Sequence, residues 1–385
     1  MRDTTAATAS ARHHTGLLFR HARPALRAGA VLFLASGALL ATGPGVGGVA
    51  DAATSSTPPC SLGLDAPDAA AAIGHNFFVA NSLGNSVTEV NGKTGACVAV
   101  LSGSTYGFND PTAMVAAGMK LFVANSDGTS STLTKFKPTG TSATVLGGSG
   151  SGYGLDDPIS MAVSGSDLFV LNSDNVVSEV NTSTGGAVAT FSGSKFAFSD
   201  PTSIAASGSK VFVVDAGSNS VTEFAPATGV VSIISGSEFQ FDFTVTSDVP
   251  VVPEATARSG VLWVTSPESS TVTEIKVKNL ALLQVVTNGN LANPGPIVAT
   301  SEYVFTASPP GTSPMISQII RKTSVVTWMM CNTNANYYYT DPQSLVVVGT
   351  SLWVVNEGGV SGENGNVASL TQMNVDSGAL VRVVS

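Results

Sequence analysis

Residues 157–201 read DPISMAVSGSDLFVLNSDNVVSEVNTSTGGAVATFSGSKFAFSDP, and this one stretch holds a complete structural unit. Four short β-type runs, ISMAV, LFVLN, VVSEVN and GAVATF, alternate with turn chemistry. Gly165 separates the first two runs, as Gly74, Gly118, Gly208, Gly260 and Gly349 do elsewhere, at a point where a hairpin needs positive φ at little cost. Asn172, matched by Asn81, Asn125, Asp215 and Asn356, closes the second run, and its side chain is expected to bond the backbone of the following turn. Thr184-Gly185, like Thr94-Gly95 and Thr228-Gly229, closes the third hairpin with Gly suited to the left-handed residue after a type I turn. Each unit therefore reads as a four-stranded antiparallel meander.

The second run carries an aromatic that returns at Phe78, Phe122, Phe169, Phe212, Trp263, Phe305 and Trp353, roughly every 46 residues. Runs such as LFVLN and SIAA are apolar at nearly every position, so both faces of these strands are covered. Stacked meanders around an axis satisfy that requirement and leave only short edges. The expected fold is all-β, a seven-bladed β-propeller of four-stranded antiparallel blades over residues 62–385. A β-solenoid, the rival architecture, needs a shorter repeat without three hairpins per unit. Ring closure is expected by packing of the first unit on the last, helped by residues 53–61 and Cys60, because Ala379 to Val384 completes the final unit.

Residues 1–52 have the layout of a secretory signal: Arg2, Arg12, Arg20, Arg23 and Arg27, an apolar run from Ala28 to Thr42, then Ala50-Asp51-Ala52 as a small-x-small cleavage site. Residues 53–61 read as a linker. Removing the signal leaves 12 basic against 24 acidic residues, with Lys and Arg scattered singly, a balance that argues against nucleic acid or anionic lipid as partners. In an oxidising compartment Cys60, Cys97 and Cys331 permit one disulfide and leave one thiol over. Cys60 and Cys331 both fall in links between units, whereas Cys97 opens a strand at the opposite end. Register thus favours Cys60–Cys331, with three unpaired thiols as the alternative.

The segments FFVANSLGNSVTEVN (77–91) and VFVVDAGSNSVTEF (211–224), each followed by a Thr-Gly turn, resemble YVTN-type and NHL-like β-propeller repeats of secreted bacterial proteins. The resemblance covers residues 62–385 and implies the propeller fold. It leaves function open, since such families include cell-surface proteins, binding scaffolds and a few enzymes. The chain departs from the pattern at SPPGTSP (308–314) and NEGGVSGENGN (356–366). It is also distantly similar to the streptogramin-lyase type, which works with histidines and a carboxylate around a metal. Here only His75 follows the leader, in a turn where other units carry Met119, Ser166, Ser209 and Thr350.

With a single possible base, and with no G-x-S-x-G elbow or phosphate-cradling glycine loop, hydrolytic and nucleotide chemistry lose their footing. No catalytic residue and no cofactor is expected. Glu89, Glu179, Glu223 and Glu274 recur at one position of the third strand, with Lys135, Gln318 and Gln372 in the other units, and read as bonds within and between blades rather than as an acid pair. Asp110, Asp157, Asp200 and Asp341 each precede Pro at the entry to a unit, where proline favours extended geometry in its predecessor. A cation site is open at Asn356, Glu357, Glu363 and Asn364, although no D-x-D-x-D-G run supports it.

Aromatics stand before those corners: Tyr106 and Phe108; Tyr153; Phe196 and Phe198; Phe239, Phe241 and Phe243; Tyr337, Tyr338 and Tyr339. A spacing of two lets each pair tuck its link over a blade edge. The functional alternative is a rim of Tyr106, Tyr153, Phe196, Phe239, Tyr337, Tyr338 and Tyr339 that stacks on a sugar or peptide. The reading taken is a secreted, monomeric, non-catalytic scaffold that binds an extracellular protein or glycan. An axial propeller enzyme and a self-assembling envelope component are the alternatives.

Overall fold

The computed structural model describes residues 60–126, 128, 130–138, 142–243, 251–288, 291–308, 315–331, 341–358 and 368–385. The leader, residues 53–59, Tyr337 to Tyr339, Glu363 and Asn364 lie outside them. Seven four-stranded antiparallel sheets form a ring, as expected: blades 1 to 7 span 67–101, 111–147, 158–191, 201–234, 255–287, 297–331 and 342–384. Within each blade the strands pair in chain order, so no strand is exchanged at the seam between blades 7 and 1. First strands touch their neighbours all the way round, including blade 1 against blade 7.

The turns follow the sequence signals. Gly74, Gly118, Gly165, Gly208, Gly260 and Gly349 all have φ between 58° and 75°. Gly95, Gly185 and Gly229 sit at 71°, 84° and 66°, each donating its N–H to the carbonyl four residues back. The Asp-Pro corner differs from expectation. Asp110, Asp157, Asp200 and Asp341 are left-handed, with φ of 48° to 58°, rather than extended. Their carbonyls accept from the N–H sixteen residues on, of Ser126, Ser173, Ala216 and Glu357, and this bond overrides the preference that proline imposes. Asp tolerates the left-handed region better than most residues.

The core is divided into seven apolar clusters, one at every boundary between neighbouring blades. Successive residues of a second strand therefore serve opposite sides: Phe78 packs toward blade 2 and Phe77 toward blade 7. That is why second strands such as Leu168 to Asn172 are buried throughout. Fourth strands form the outer edge of the blades and carry exposed apolar side chains such as Val188, Val230 and Ile233.

The disulfide corrects the register argument: Cys60 pairs with Cys97, at a Cα–Cα distance of 5.5 Å, and Cys331 is not its partner. The entry segment does not stay on the link face. It descends along blade 1, where Leu62 O accepts from the mid-strand hydroxyl of Thr88 at 2.7 Å, and brings Cys60 beside the start of the fourth strand, Cys97–Leu101. Cys331 ends the fourth strand of blade 6, and all of blade 7 stands between it and blade 1. Cys60 and Ser61, read as linker, are thus tied to the propeller.

Candidate functional site

Each link aromatic among the described residues lies in the groove between two blades. Tyr106 stacks on Phe108 at 5.3 Å, and both meet Phe136 edge-on, in the cluster between blades 1 and 2. Tyr153 packs between blades 2 and 3, and its hydroxyl donates to Gly185 O at 2.7 Å. Phe196 and Phe198 stack at 5.4 Å against Phe191 and Phe224. Phe239, Phe241 and Phe243 form a ladder with steps of 5.5 and 5.2 Å, and Phe239 and Phe243 are buried. Tyr106, Tyr153, Phe196 and Phe239 therefore belong to four different clusters and do not converge on one surface.

Third-strand polar residues pair in register with the marker aromatics: Phe78 with Glu89, Phe122 with Lys135, Phe169 with Glu179, Phe212 with Glu223, Trp263 with Glu274, Phe305 with Gln318 and Trp353 with Gln372. Glu89, Glu179, Glu223, Glu274, Gln318 and Gln372 are buried. Some bond inside their blade, as Glu89 accepts from Asn76 Nδ2 at 2.6 Å and Glu223 meets Lys210 Nζ at 3.2 Å. Others reach the third hairpin of the next blade. Lys135 Nζ donates to Ser183 O at 2.8 Å, Glu274 accepts from Ser324 Oγ at 3.2 Å, and Gln318 Nε2 donates to Val375 O at 2.8 Å. Burial pushes the Glu179 and Glu274 carboxyls above the usual range and the Lys135 ammonium below its own. Glu89, Glu179, Glu223 and Glu274 stand on the third strands of four different blades.

The Asx residues do more than bond the following turn. Asn81, Asn125, Asn172 and Asp215 reach back sixteen residues, where Oδ1 accepts from the link amides of Asp65, Asn109, Asp156 and Ser199 at 3.1 to 3.4 Å. They also bond a third-strand hydroxyl, Thr88, Thr134, Ser178 or Thr222, at 2.8 to 3.1 Å. The same hydroxyl lies 2.7 to 3.0 Å from the link carbonyl of Leu62, Tyr106, Gly154 or Phe196. Link, second strand and third strand are clamped by one side chain.

His75 is exposed in its turn. Among the described residues no group of three or more His, Cys, Asp or Glu could hold a metal ion. A shallow hollow of about 430 Å³ lies on the face opposite the links, lined by Ser301, Glu302, Tyr303, Ile320, Arg321 and Lys322. Its Arg321 covers the Trp263 ring at 4.6 Å and donates to Thr300 O and Ser301 O at 2.8 and 2.9 Å. Sequence reading missed it because these turn residues do not recur in other units.

No protein-family model and no curated protein matches the sequence. Among solved structures, the crystal structure of the computationally designed Ika8 protein aligns with a TM-score of 0.55 at 12% identity, covering 84% of this chain and 88% of that one. A chain of the nidogen/laminin complex aligns with a TM-score of 0.44 at 13% identity, covering 59% and 82%. The likeness to the designed protein is one of fold.

Proposed function

We propose that the chain is an exported, non-catalytic propeller of the YVTN-type or NHL-like kind, and that it binds an extracellular protein or glycan through the face bearing the inter-blade links. The observation that carries this reading is how the reactive side chains are used. Glu89, Glu223 and Glu274 are buried in bonds within or between blades, and the Asx residues in bonds that clamp link to strand. The stretches in which the repeat varies, 235–254, 308–314, 332–341 and 357–368, are by contrast those that the sequence sets between successive strands. Loops held by a rigid scaffold are where recognition usually lies. Since Tyr106, Tyr153, Phe196 and Phe239 seal boundaries, Tyr337, Tyr338 and Tyr339 are the aromatics assigned to the ligand. No cofactor, nucleic acid or membrane is required.

Thermal unfolding of the purified chain against bacterial and plant polysaccharides and divalent cations tests this, since a ligand of the folded state raises the midpoint. A rise with one ligand class that disappears on replacing Tyr337, Tyr338 and Tyr339 by Ala supports the reading. A rise that survives the replacement removes those residues from the site. Turnover of any panel member contradicts the non-catalytic assignment.

A further inference from the structure

Blade 4 uses an acid where three other described clamps use an amide, and the hydrogens do not add up in the same way. In blade 2, Asn125 Nδ2 donates to Thr134 Oγ1 at 3.1 Å and Thr134 passes its own hydrogen to Tyr106 O at 2.8 Å. In blade 4, Asp215 Oδ2 lies 2.8 Å from Thr222 Oγ1, which lies 3.0 Å from Phe196 O. A hydroxyl has one hydrogen to give, and a carboxylate has none. If Asp215 is charged, one of these two short contacts brings acceptor against acceptor. With a proton on Oδ2 the chain is complete: Asp215 donates to Thr222, Thr222 donates to Phe196 O, and Oδ1 still accepts from Ser199 N–H at 3.3 Å.

We propose that Asp215 is carried as the neutral acid, in the part that Asn plays in blades 1 to 3, and that loss of its proton loosens the 196–200 link, making the boundary between blades 3 and 4 a pH-sensitive latch. Asp215 and Thr222 are both fully buried. Burial raises the Asp215 carboxyl to about 7, against the opposing pull of Thr222 and the Ser199 amide. The link carries Lys195, whose ammonium bonds Gly229 O, and Asp200, itself raised by burial, with Oδ1 lacking a partner among the described residues. Lys210 and Glu223 pair with each other on the second and third strands. The first strand, Pro201–Ser207, the fourth, Val230–Ile234, and the turn Ala216–Ser218 carry no charge. Across the boundary, blade 3 contributes Asp167, Asp174 and Glu179; on the other side the 235–254 link carries Glu238, Asp242, Asp248 and Glu254, and blade 5 carries Arg258, Glu268, Glu274, Lys276 and Lys278.

A group whose pKa is raised on folding stabilises the closed form below its unfolded value and loses that effect as pH rises through the folded one. The opening constant of the link should thus climb by up to about tenfold per pH unit between pH 5 and 7 and level off above. Amide exchange at Ser199, corrected for intrinsic rate and referred to Asn109 and Asp156 in blades 2 and 3, reads this directly. The carboxyl ¹³C shift of Asp215 reads the proton. Asp215→Asn, which installs the side chain of the other blades, should abolish the Ser199 trend and give a higher unfolding midpoint than the parent at pH 8 but not at pH 4. Titration of Asp215 in the ordinary carboxylate range, a Ser199 ratio independent of pH, or an Asp215→Asn midpoint change equal at both pH values would each overturn the latch.

Discussion

The seam between blades 7 and 1 and the boundary between blades 2 and 3 do the same job with different means. At the ordinary boundary the chain itself runs from one blade into the next, carrying Tyr153 into the groove. At the seam no chain crosses. The contacts are nevertheless those of the other boundaries: Gln372 Nε2 approaches Gly92 O at 3.5 Å, in the place where Lys135 reaches Ser183 O, and residues 62–66 occupy the clamp of blade 1 as a link would. Three additions stand in for the missing connection. Trp353 donates from Nε1 to Gly92 O at 3.0 Å and packs on Phe77 at 4.9 Å. Arg382 bonds Thr94 O, and the Cys60–Cys97 disulfide pins the free entry segment. Even the glycine is local to the seam, since a Cβ on Gly92 would come within 2.7 Å of His75 O and 2.5 Å of Val348 Cγ1. Closure is thus an ordinary blade contact reinforced by side chains.

Trp353→Ala should therefore cost more than Phe122→Ala at the matching position of blade 2. Both create a cavity in a fully buried site, worth about 3–5 kcal/mol, and the seam variant also deprives Gly92 O of its indole donor. Denaturant unfolding of the two variants sharpens the comparison, and equal losses would mean that the seam depends on apolar packing alone. Next in size, Cys60→Ser should lower stability by about 2–4 kcal/mol, because the disulfide closes a chain separation of 37 residues. Non-reducing peptide maps should show Cys60 joined to Cys97. A Cys60–Cys331 peptide would break the account of how the entry segment runs.

The smallest effect separates acids from amides at the third-strand position. Gln318 and Gln372 occupy it in blades 6 and 7, whereas Glu274 is buried there with its carboxyl raised. The folded state then holds the Glu274 proton more tightly than the unfolded chain, so its contribution is present in acid and fades as pH rises through the folded value. Glu274→Gln, which keeps an acceptor for Ser324, should leave the midpoint at pH 4 unchanged and raise it at pH 8. A loss at pH 8 would show that the charge itself is needed.

Fold was legible because it repeats: the second-strand aromatic, the hairpin Gly and the Thr-Gly turn are each dictated by local geometry that recurs in most blades. What repeats is also what holds the molecule together, and that is why the candidate site was less legible. Link aromatics spaced by two gave no sign of which face they turn to, and in the folded chain those of the first four links turn inward. Asp215 looked interchangeable with Asn81 and Asn125. Only the neighbouring hydroxyl and carbonyl reveal that an acid at that place must supply a hydrogen. Cys60 misled because register counts position along the chain, while the pairing depends on how far the entry segment descends beside blade 1.

Amide hydrogen exchange, followed peptide by peptide in oxidised and reduced protein, tests the closed ring most directly. Non-local contacts round the whole circle should make residues 67–73 and 342–348 exchange as slowly as the first strands of blades 2 to 4 while the disulfide is intact. Reduction should accelerate residues 60–66 and those two strands ahead of the rest. Fast exchange of blade 7 alone in the oxidised protein would contradict a ring closed by side-chain contacts at the seam.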